Sequence, residues 1–367
     1  MDAVAELVSQ LVAIDSINPD LVPGGAGEAA IAEFAAGWLE RAGLGVTVQE
    51  AAPGRPNVIA RAAGSGGGRS LLLNAHMDVV GVEGMADPFS PRVEDGRLYG
   101  RGGFDMKGGL AAIMLAGARI ATAGLRGDVI VTAVCDEEYA SVGCEELARQ
   151  VRADAAIVTE PTGLEVCVAH KGFLWLAVET TGVAAHGSRP DLGVDAIAAM
   201  GGVLTGLEGL AAELRAGRAH PLLGPGSVHA SLIDGGRELS SYPDRCVLQL
   251  ERRTIPGETR AQVEAEVRAV AGAARVRTTF ERAPFEVDPQ AAIVEAVRRH
   301  AALLGHDPAV VGHSGWMDAA VLSAAGIPTV VFGPAGAGAH AVEEWVDLAS
   351  VASCAAVLEA VARDFCG

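Results

Sequence analysis

The sequence predicts an α/β protein in which helices flank a mixed sheet, with a smaller α+β domain inserted into the chain. Short apolar runs, typical of buried strands, alternate with segments of helical spacing through the first half. From about residue 172 the order becomes strand, helix, two strands, helix and strand, which is the order of a ferredoxin-like domain. We therefore expect a discontinuous large domain, residues 1–171 and 283–367, around an inserted domain, residues 172–282.

The elements of the large domain follow from these patterns in chain order. An amphipathic stretch predicts an N-terminal helix, and the strands predicted after it are PNVIARAAG, RSLLLNAHMDV, DVIVTAVCDEE and AAIVTE. Helices are predicted between them at MKGGLAAIMLAGARIATAG and CEELARQVRA. Behind the inserted domain, a helix (PQAAIVEAVRRHAALLG), a strand (PTVVFGP) and a last helix (ASVASCAAVLEAVARDF) complete the domain.

The inserted domain is predicted from six consecutive segments. In order they are the strand FLWLAVETT, the helix GVDAIAAMGGVLTGLEGLAAEL, the strands SVHASLIDGG and RCVLQLERR, the helix TRAQVEAEVRAVAGAA and the strand RVRTTFERA.

Composition excludes several classes of partner. The net charge of -18 and the pI near 4.9 repel phosphate, so we expect neither nucleic acid nor an anionic membrane as a partner. Scattered cysteines without a CxxC pair indicate reduced thiols. The N-terminus lacks the basic and apolar regions of a signal peptide, and no apolar run approaches ~20 residues. A cytoplasmic protein is expected.

The run LLLNAHMDVV places His76 and Asp78 among apolar neighbours. Residues two apart on a strand face the same side, so the carboxylate could orient the imidazole. Taken alone, the pair is better explained by a core histidine whose hydrogen bonds are satisfied.

Further acidic residues and a second histidine follow predicted strands or precede a helix. Asp105 stands in GRGGFDMKGG, Glu137 and Glu138 end VIVTAVCDEE, Glu160 ends AAIVTE, and His340 follows VVFGPAGAGA. Each has an ordinary explanation, as a helix N-cap, a solvated loop, a turn or a surface residue. Together, carboxylates on one sheet edge would repel unless cations neutralise them.

Two histidines with several carboxylates and no cysteine suit a pair of divalent ions of the zinc type. Two such ions can polarise a carbonyl and lower the pKa of a shared water, provided that another carboxylate accepts its proton. Neighbouring side chains in the DEE segment diverge, so one glutamate can bind metal while the other faces the water.

The motifs together resemble the dizinc aminoacylase, deacetylase and carboxypeptidase family, which includes acetylornithine deacetylase and succinyl-diaminopimelate desuccinylase. The resemblance spans nearly the whole chain through HMDVV, GRGGFDMKGGLAA, DEEYASVG, TEPT, AHGSRPDLGVDAI, ERRTIPGE and GAHAVEEWV, in the family's order. It implies a zinc-peptidase-like catalytic domain and an inserted domain that serves as lid and dimerisation surface.

The resemblance also assigns roles to residues. It makes Glu137 the general base and Asp78 the partner of His76, and it implies a cis peptide bond between Asp105 and Met106. The metal ligands it implies are His76, Asp105 as the bridge, Glu138, Glu160 and His340. Zinc is the expected metal, with cobalt and manganese as alternatives.

Within the inserted domain, His186 matches the histidine that reaches the scissile carbonyl, often from the other subunit of a homodimer. Arg253 matches the arginine that binds the substrate carboxylate, with Arg252 as the alternative in register. Ser240 or Ser241 stands where many relatives carry an asparagine that touches substrate, which leaves the acyl group open.

The function implied is metal-dependent hydrolysis of the amide bond of a small N-acyl amino acid. A dipeptidase, a carboxypeptidase or an N-succinyl-amino acid desuccinylase would use the same residues, and a non-catalytic binding relative is the remote alternative. GHSGW lacks the second glycine of a serine-hydrolase nucleophile elbow, and GRGGFD breaks the dinucleotide-binding fingerprint.

Overall fold

The computed structural model describes residues 3–367. Its helices are, in chain order, α1 (Ala3–Val12), α2 (Ala29–Arg41), α3 (Gly108–Ile120), α4 (Val142–Gln150), α5 (Ala196–Ala216), α6 (Arg260–Ala271), α7 (Ala292–Leu303), α8 (Ala319–Ala324) and α9 (Leu348–Phe365). Its strands are β1 (Gly45–Ala52), β2 (Arg55–Ala62), β3 (Leu71–His76), β4 (Arg92–Glu94), β5 (Arg97–Tyr99), β6 (Val129–Val134), β7 (Ala155–Val158), β8 (Val166–His170), β9 (Gly172–Thr181), β10 (Ala219–His220), β11 (Gly224–Pro225), β12 (Ser227–Gly235), β13 (Arg245–Thr254), β14 (Arg275–Arg282), β15 (Phe285–Glu286), β16 (Val310–His313), β17 (Thr329–Val331), β18 (Gly336–Ala337) and β19 (Trp345–Asp347).

The chain divides into two compact units. The first comprises the residues up to Val168 together with Val287–Val311 and Met317–Gly367, and the second comprises Ala169–Glu286 and Gly312–Trp316. The second unit therefore begins and ends a few residues outside the predicted 172–282. Pairing of β15 with the end of β8 explains the longer limits, since Phe285 lies opposite His170. The segment 312–316, which no sequence pattern marked, joins this unit through the His313 carbonyl, which accepts a hydrogen bond from the Lys171 N–H.

The first unit is built on a mixed sheet with the strand order β1-β2-β6-β3-β7-β17-β8. Strands β6, β3, β7 and β17 run parallel, while β1, β2 and β8 pair antiparallel with their neighbours. Strands β3, β6 and β7 are buried along their whole length, as their continuous apolar runs predicted. Helix α3 packs against β3, β6 and α9, so the α/β class with flanking helices is confirmed.

The parallel arrangement decides where polar side chains can gather. The carboxyl ends of β3, β6 and β7 lie at the same edge of the sheet, which is where open α/β sheets place their ligand sites. Helix α3 is buried on almost every side, from Gly108 to Gly117, because it lies between the sheet and α9. The packing of α3 therefore fixes the position at which the preceding segment, which contains Asp105, enters the helix.

A small sheet of the first unit was not predicted. Its strands follow the order β18-β19-β5-β4, in which β4 and β5 are neighbours in sequence and β18 and β19 come from the far end of the chain. Two- and three-residue strands carry too little alternation to be recognised from sequence. The loop between β18 and β19 carries His340.

The second unit is an antiparallel sheet, β12-β13-β9-β14, packed on α5 and α6. Its core combines side chains from one face of the sheet, such as Leu176 and Leu248, with those of the helices, such as Met200 and Val263. Helix α6 begins with a capping box in which Thr259 and Gln262 exchange side-chain and backbone hydrogen bonds. The strand order is that of a ferredoxin-like domain, and β12 forms one edge.

Helix α5 is long and apolar enough, by length and composition, to span a membrane, although the sequence analysis found no apolar run near that length. Glu208 and Glu213 interrupt its apolar residues. Its buried residues pack on the sheet of the second unit, as in the core helix of a globular domain. Most of its remaining surface is exposed and apolar.

Candidate metal centre

The six side chains predicted as metal ligands and general base lie together in the first unit. They are His76 at the end of β3, Asp105 before α3, Glu137 and Glu138 after β6, Glu160 after β7 and His340 between β18 and β19. Because β3, β6 and β7 are parallel, three of these segments meet at the carboxyl edge of the sheet.

Asp105 lies between the two histidines. Its Oδ1 is 3.2 Å from His76 Nε2, and its Oδ2 is 3.4 Å from His340 Nε2. Each histidine has a further carboxylate, with Glu160 Oε1 3.6 Å from His76 Nε2 and Glu138 Oε2 3.1 Å from His340 Nε2. Asp105 is thus the carboxylate that both histidines contact, and each histidine has a second carboxylate beside it.

Glu137 and Glu138 point to different parts of this cluster. Glu137 Oε2 is 4.0 Å from His76 Nε2, and its ligand atom forms one compact group with those of His76 and Glu160. Glu138 forms another such group with His76 and Asp105. In each group the atoms lie within 4.8 Å of one another. Proximity alone would therefore also allow Glu137 to bind a metal.

The donor set fits divalent cations. Glu138 Oε1 is buried and has no hydrogen-bond partner among the described residues, which is costly for a carboxylate oxygen unless a cation completes its environment. Imidazole nitrogens and carboxylate oxygens, without a thiolate in either group, are ligands that zinc-type ions accept.

The peptide bond between Asp105 and Met106 is cis, as the family resemblance implied. Asp105 does not cap α3, because its carboxylate contacts the two histidines and no side chain caps that helix. The ordinary explanation of Asp105 as an N-cap is therefore wrong.

In the metal-free protein, burial and neighbouring charges shift the pKa values of the side chains in this cluster. Burial and the charge of Asp105 raise the pKa of Glu138 to about 7, and burial also raises the pKa values of Glu137 and Glu160. Hydrogen bonds to Asp105 and Glu138 raise the pKa of His340 to about 10. A raised carboxylate pKa means that burying the negative charge is costly, and a bound cation would offset the same cost.

Two shifts show the opposing effects most clearly. Burial lowers the pKa of His76, but the charges of Glu160 and Asp105 outweigh it and raise that pKa well above its usual value. Burial raises the pKa of Asp105, but hydrogen bonds from His340 and His76 outweigh it and lower that pKa well below its usual value.

His76 is held in one tautomer by a backbone group. Its Nδ1 is 3.0 Å from the carbonyl oxygen of Asp78, and a carbonyl can only accept a hydrogen bond, so Nδ1 carries the proton. In the neutral ring, Nε2 then carries the lone pair and faces Asp105 and Glu160, as a metal ligand requires. The carboxylate of Asp78 is further away, with Oδ1 3.6 Å from Nδ1.

The Asp78 carboxylate instead holds the DEE segment. Oδ1 accepts the Glu137 N–H at 3.1 Å, and Oδ2 accepts the Glu138 N–H at 3.1 Å. Asn18 donates through Nδ2 to Asp78 Oδ2 at 2.8 Å and to Asp136 Oδ1 at 3.0 Å. Asp78 therefore orients the histidine with its carbonyl and both glutamates with its carboxylate.

A buried carboxylate that sequence analysis missed holds the segment of Asp105. Glu344 accepts the N–H groups of Gly102, Phe104 and Asp105 at 2.9–3.0 Å and pairs with Arg101 at 2.6 Å. The motif GAHAVEEWV contained this residue, but nothing in its pattern distinguished Glu344 from the exposed Glu343.

A second missed group lies behind the DEE segment. Arg55 pairs with Glu28 at 2.5 Å and with Asp136 at 3.1 Å, and all three side chains are buried. These residues come from a helix boundary, a strand and a loop, so no spacing in the sequence relates them.

The predicted residues of the second unit fall into two places. Arg252 is fully buried and pairs with Glu258 and Glu266, whereas Arg253 is partly exposed and lies over the Phe173 ring. Of the two arginines, only Arg253 is therefore available to a ligand.

His186 and Ser240 lie near each other in the second unit. His186 pairs with Ser241 in an isolated bridge, and the carbonyl of Ser240 accepts the N–H of Gly187 at 2.7 Å. His186 is exposed to solvent.

Comparison with known proteins decides the family. The model of peptidase family M20/M25/M40 matches residues 72–364, a range that contains every predicted site residue. The chain belongs to this family.

Relatives within the family differ in their named activities. Acetylornithine deacetylase of Proteus mirabilis is 30% identical, covering 98% of this chain and 96% of that protein. N-formyl-4-amino-5-aminomethyl-2-methylpyrimidine deformylase of Bacillus subtilis is 28% identical, covering 87% and 85%. The fold matches YxeP of Bacillus subtilis, a dinuclear metal-binding M20 peptidase, with a TM-score of 0.76, 17% identity and coverage of 99% and 97%. The M20 chain described here is a metal-dependent hydrolase, as its sequence predicted.

The pKa shifts predict how pH affects this M20 protein once its metals are removed by chelation. The pKa of Glu138 rises from 4.5 to about 7, and that of His340 from 6.5 to about 10. In both windows the folded protein holds protons that the unfolded chain has released, so stability falls as the pH rises from about 5 to 9. For the buried Glu138, each pKa unit corresponds to on the order of 1 kcal/mol, whereas solvent screening reduces the contribution of His340, whose side chain is 56% exposed. Thermal unfolding at a series of pH values measures the effect.

Glu138→Gln is the matched control, because it removes one of the titrating groups without changing shape. The chelated variant should lose less stability between pH 4.5 and 7 than the chelated parent. Equal slopes for the two proteins, or a stability that increases with pH, would contradict the proposed electrostatics.

Proposed function

We propose that this M20 hydrolase cleaves the amide bond of a small N-acyl amino acid and releases a carboxylate and an amino acid. The observation that carries the proposal is the cluster in which Asp105 contacts both His76 and His340, with Glu137 beside His76. Relatives named acetylornithine deacetylase align over nearly the full length, which favours a deacylase. A dipeptidase, a carboxypeptidase or a desuccinylase is the nearest rival, and a non-catalytic relative is the remote one.

In this proposal, two divalent ions are shared between the histidines and carboxylates of the cluster, with zinc the first candidate and cobalt or manganese the alternatives. The ligands we assign are His76, Asp105 and Glu160 for one ion, and Asp105, Glu138 and His340 for the other. Bound ions of this kind lower the pKa of a water and polarise a carbonyl. The unpartnered Oε1 of Glu138 supports its role as a ligand.

We assign the proton transfers to Glu137. Its carboxylate would accept a proton from the attacking water and return it to the leaving amine nitrogen as the carbon–nitrogen bond breaks. Asp78 supports this role, because it fixes the Glu137 N–H and so limits where the carboxylate can lie. The Glu137 side chain is 9% exposed, and its Oε2 lies 4.0 Å from His76 Nε2, beside the proposed metal ligands.

The inserted domain would bind the substrate. Arg253 would pair with the free carboxylate of the amino acid, since a guanidinium binds a carboxylate through two hydrogen bonds. Its Nε is held by Glu251 at 2.7 Å, which leaves the terminal nitrogens for a ligand. We assign His186 as a donor to the scissile carbonyl oxygen and Ser240 as a contact of the acyl group.

A substrate panel tests the function. Metal-loaded protein is assayed against N-acetyl, N-succinyl and N-formyl amino acids and against dipeptides, and we expect the highest kcat/KM on one of the N-acyl series. Arg253→Ala should raise KM by about 10–100-fold for carboxylates but not for the matching carboxamides. Hydrolysis of dipeptides alone would favour the rival, and full activity after exhaustive chelation would exclude metal dependence.

Glu137 and Glu138 should respond differently to the same substitution. Glu137→Gln should keep both metals and lose about 10²–10⁴-fold in kcat, because glutamine cannot accept the proton. Glu138→Gln should lose metal, because its carboxylate is a ligand. Metal analysis and single-turnover rates on both variants measure the difference, and equal metal loss in the two would show that base and ligand are assigned wrongly.

We further propose that the protein is a cytoplasmic homodimer that pairs through the second unit. All six cysteines are buried and free, which suits a reducing compartment. Strand β12 is an open edge whose Leu232 and Ile233 are 64% and 56% exposed, and the apolar surface of α5 packs beside it. An open edge next to apolar surface is a natural site for pairing with a second copy.

Charge at this edge should prevent pairing. Leu232→Lys combined with Ile233→Lys should convert the dimer into a folded monomer, because lysines on an edge strand oppose association. Analytical ultracentrifugation measures the mass, and Val48→Lys on the exposed face of β1 is the matched control. A double variant that stays dimeric would move the interface elsewhere.

A further inference from the structure

The loop that carries His186 is fixed against a neighbouring segment of the same unit. The Gly187 N–H donates to the Ser240 carbonyl at 2.7 Å, and the Tyr242 N–H donates to the Ala185 carbonyl at 2.9 Å. Within the loop, the Arg189 N–H donates to the His186 carbonyl at 2.7 Å. The backbone of His186 is thus held in place although its side chain is exposed.

Gly187 permits this close approach. A Cβ at residue 187 would lie 3.0 Å from the Ser240 carbonyl oxygen, so a larger residue would push the two segments apart. The following residue, Ser188, lies beside Nδ1 of the imidazole ring.

Ser188 makes two contacts with one ring nitrogen. Its backbone N–H donates to His186 Nδ1 at 3.2 Å, and its hydroxyl oxygen is 2.8 Å from the same atom. A backbone N–H can only donate, so Nδ1 must present its lone pair. The neutral ring then carries its proton on Nε2, and the hydroxyl can donate to Nδ1 as well.

We propose that Ser188 is a positioning residue that fixes His186 in the Nε2–H tautomer. The inference rests on the proposed function, in which His186 donates to the carbonyl oxygen of the substrate. With the proton on Nε2, the exposed side of the ring offers a donor where negative charge develops. With the proton on Nδ1, the same side would offer a lone pair and repel that charge.

The tautomer can be read directly on the resting protein. The protein is labelled with 15N-histidine and examined by long-range 1H–15N NMR correlation. The signals that are missing from the spectrum of His186→Gln are those of the His186 ring. We expect His186 Nδ1 to resonate as the unprotonated nitrogen and Nε2 as the protonated one in the neutral ring. A neutral ring with its proton on Nδ1, or an even mixture of the two forms, would overturn the proposal. This result does not depend on hydrolysis of any compound in the panel.

Two substitutions separate the backbone donor from the hydroxyl. Ser188→Ala keeps the N–H and should retain the Nε2–H form and most of the turnover. Ser188→Pro removes both donors, so the tautomer preference should weaken and kcat should fall by up to about 10²-fold, with KM and metal content unchanged. Arg189→Ala is the control, because its side chain pairs with Asp191 and not with the ring.

The outcomes distinguish this proposal from the proposed function. Loss of the tautomer preference in Ser188→Pro without any fall in kcat would show that the serine does not position a working group. If the protein hydrolyses none of the compounds in the substrate panel but its neutral His186 ring carries the proton on Nε2, the proposed function is contradicted and the tautomer proposal is supported. If the proline variant fails to fold, the spectra of the parent and of Ser188→Ala still decide the tautomer.

Discussion

Mutual repulsion among buried carboxylates is the constraint on which the rest of the first unit depends. Parallel strands end side by side, so any acidic residues that follow them are forced together at one edge of the sheet. Asp105, Glu137, Glu138 and Glu160 gather there with little access to water. The pKa of Glu138 near 7 shows that protons alone would relieve part of the repulsion. Cations at the same place would relieve it without protonation, which is why the chemistry of a metal-dependent hydrolase suits this edge.

Two further carboxylates make this arrangement rigid by accepting backbone N–H groups. Asp78 holds the segment of Glu137 and Glu138, and Glu344 holds the segment of Asp105. Both carboxylates are buried and accept backbone N–H groups, and Glu344 also pairs with Arg101. The loops that carry Asp105, Glu137 and Glu138 are therefore positioned by the chain itself. This division of labour also explains why acidic residues are so numerous around a site that needs only a few ligands.

The sequence predicted the elements that have strong periodicity and the residues that belong to recognisable motifs. It could not relate residues whose meeting depends on tertiary structure. Asn18 bridges Asp78 and Asp136 from a loop far along the chain, and Arg55 enters the same region from β2. Single polar residues of this kind carry no periodic signal, since their partners are fixed only when the sheet forms. The short strands β18 and β19 were missed for a related reason, because pairing with β5 and not local alternation defines them.

Two histidines show how the fold gives the same side chain opposite chemistry. At His76 a backbone carbonyl meets Nδ1, so the proton stays there and Nε2 presents a lone pair. At His186 a backbone N–H meets Nδ1, so the neutral ring carries its proton on Nε2 and presents a donor. The first state suits a metal ligand and the second suits stabilisation of an oxyanion. Neither difference can be seen in the letters of the sequence, because the group that decides it is the backbone of a residue two positions later. A change at Asp78 or Ser188 that moves that backbone would therefore exchange donor for acceptor while leaving each histidine in place.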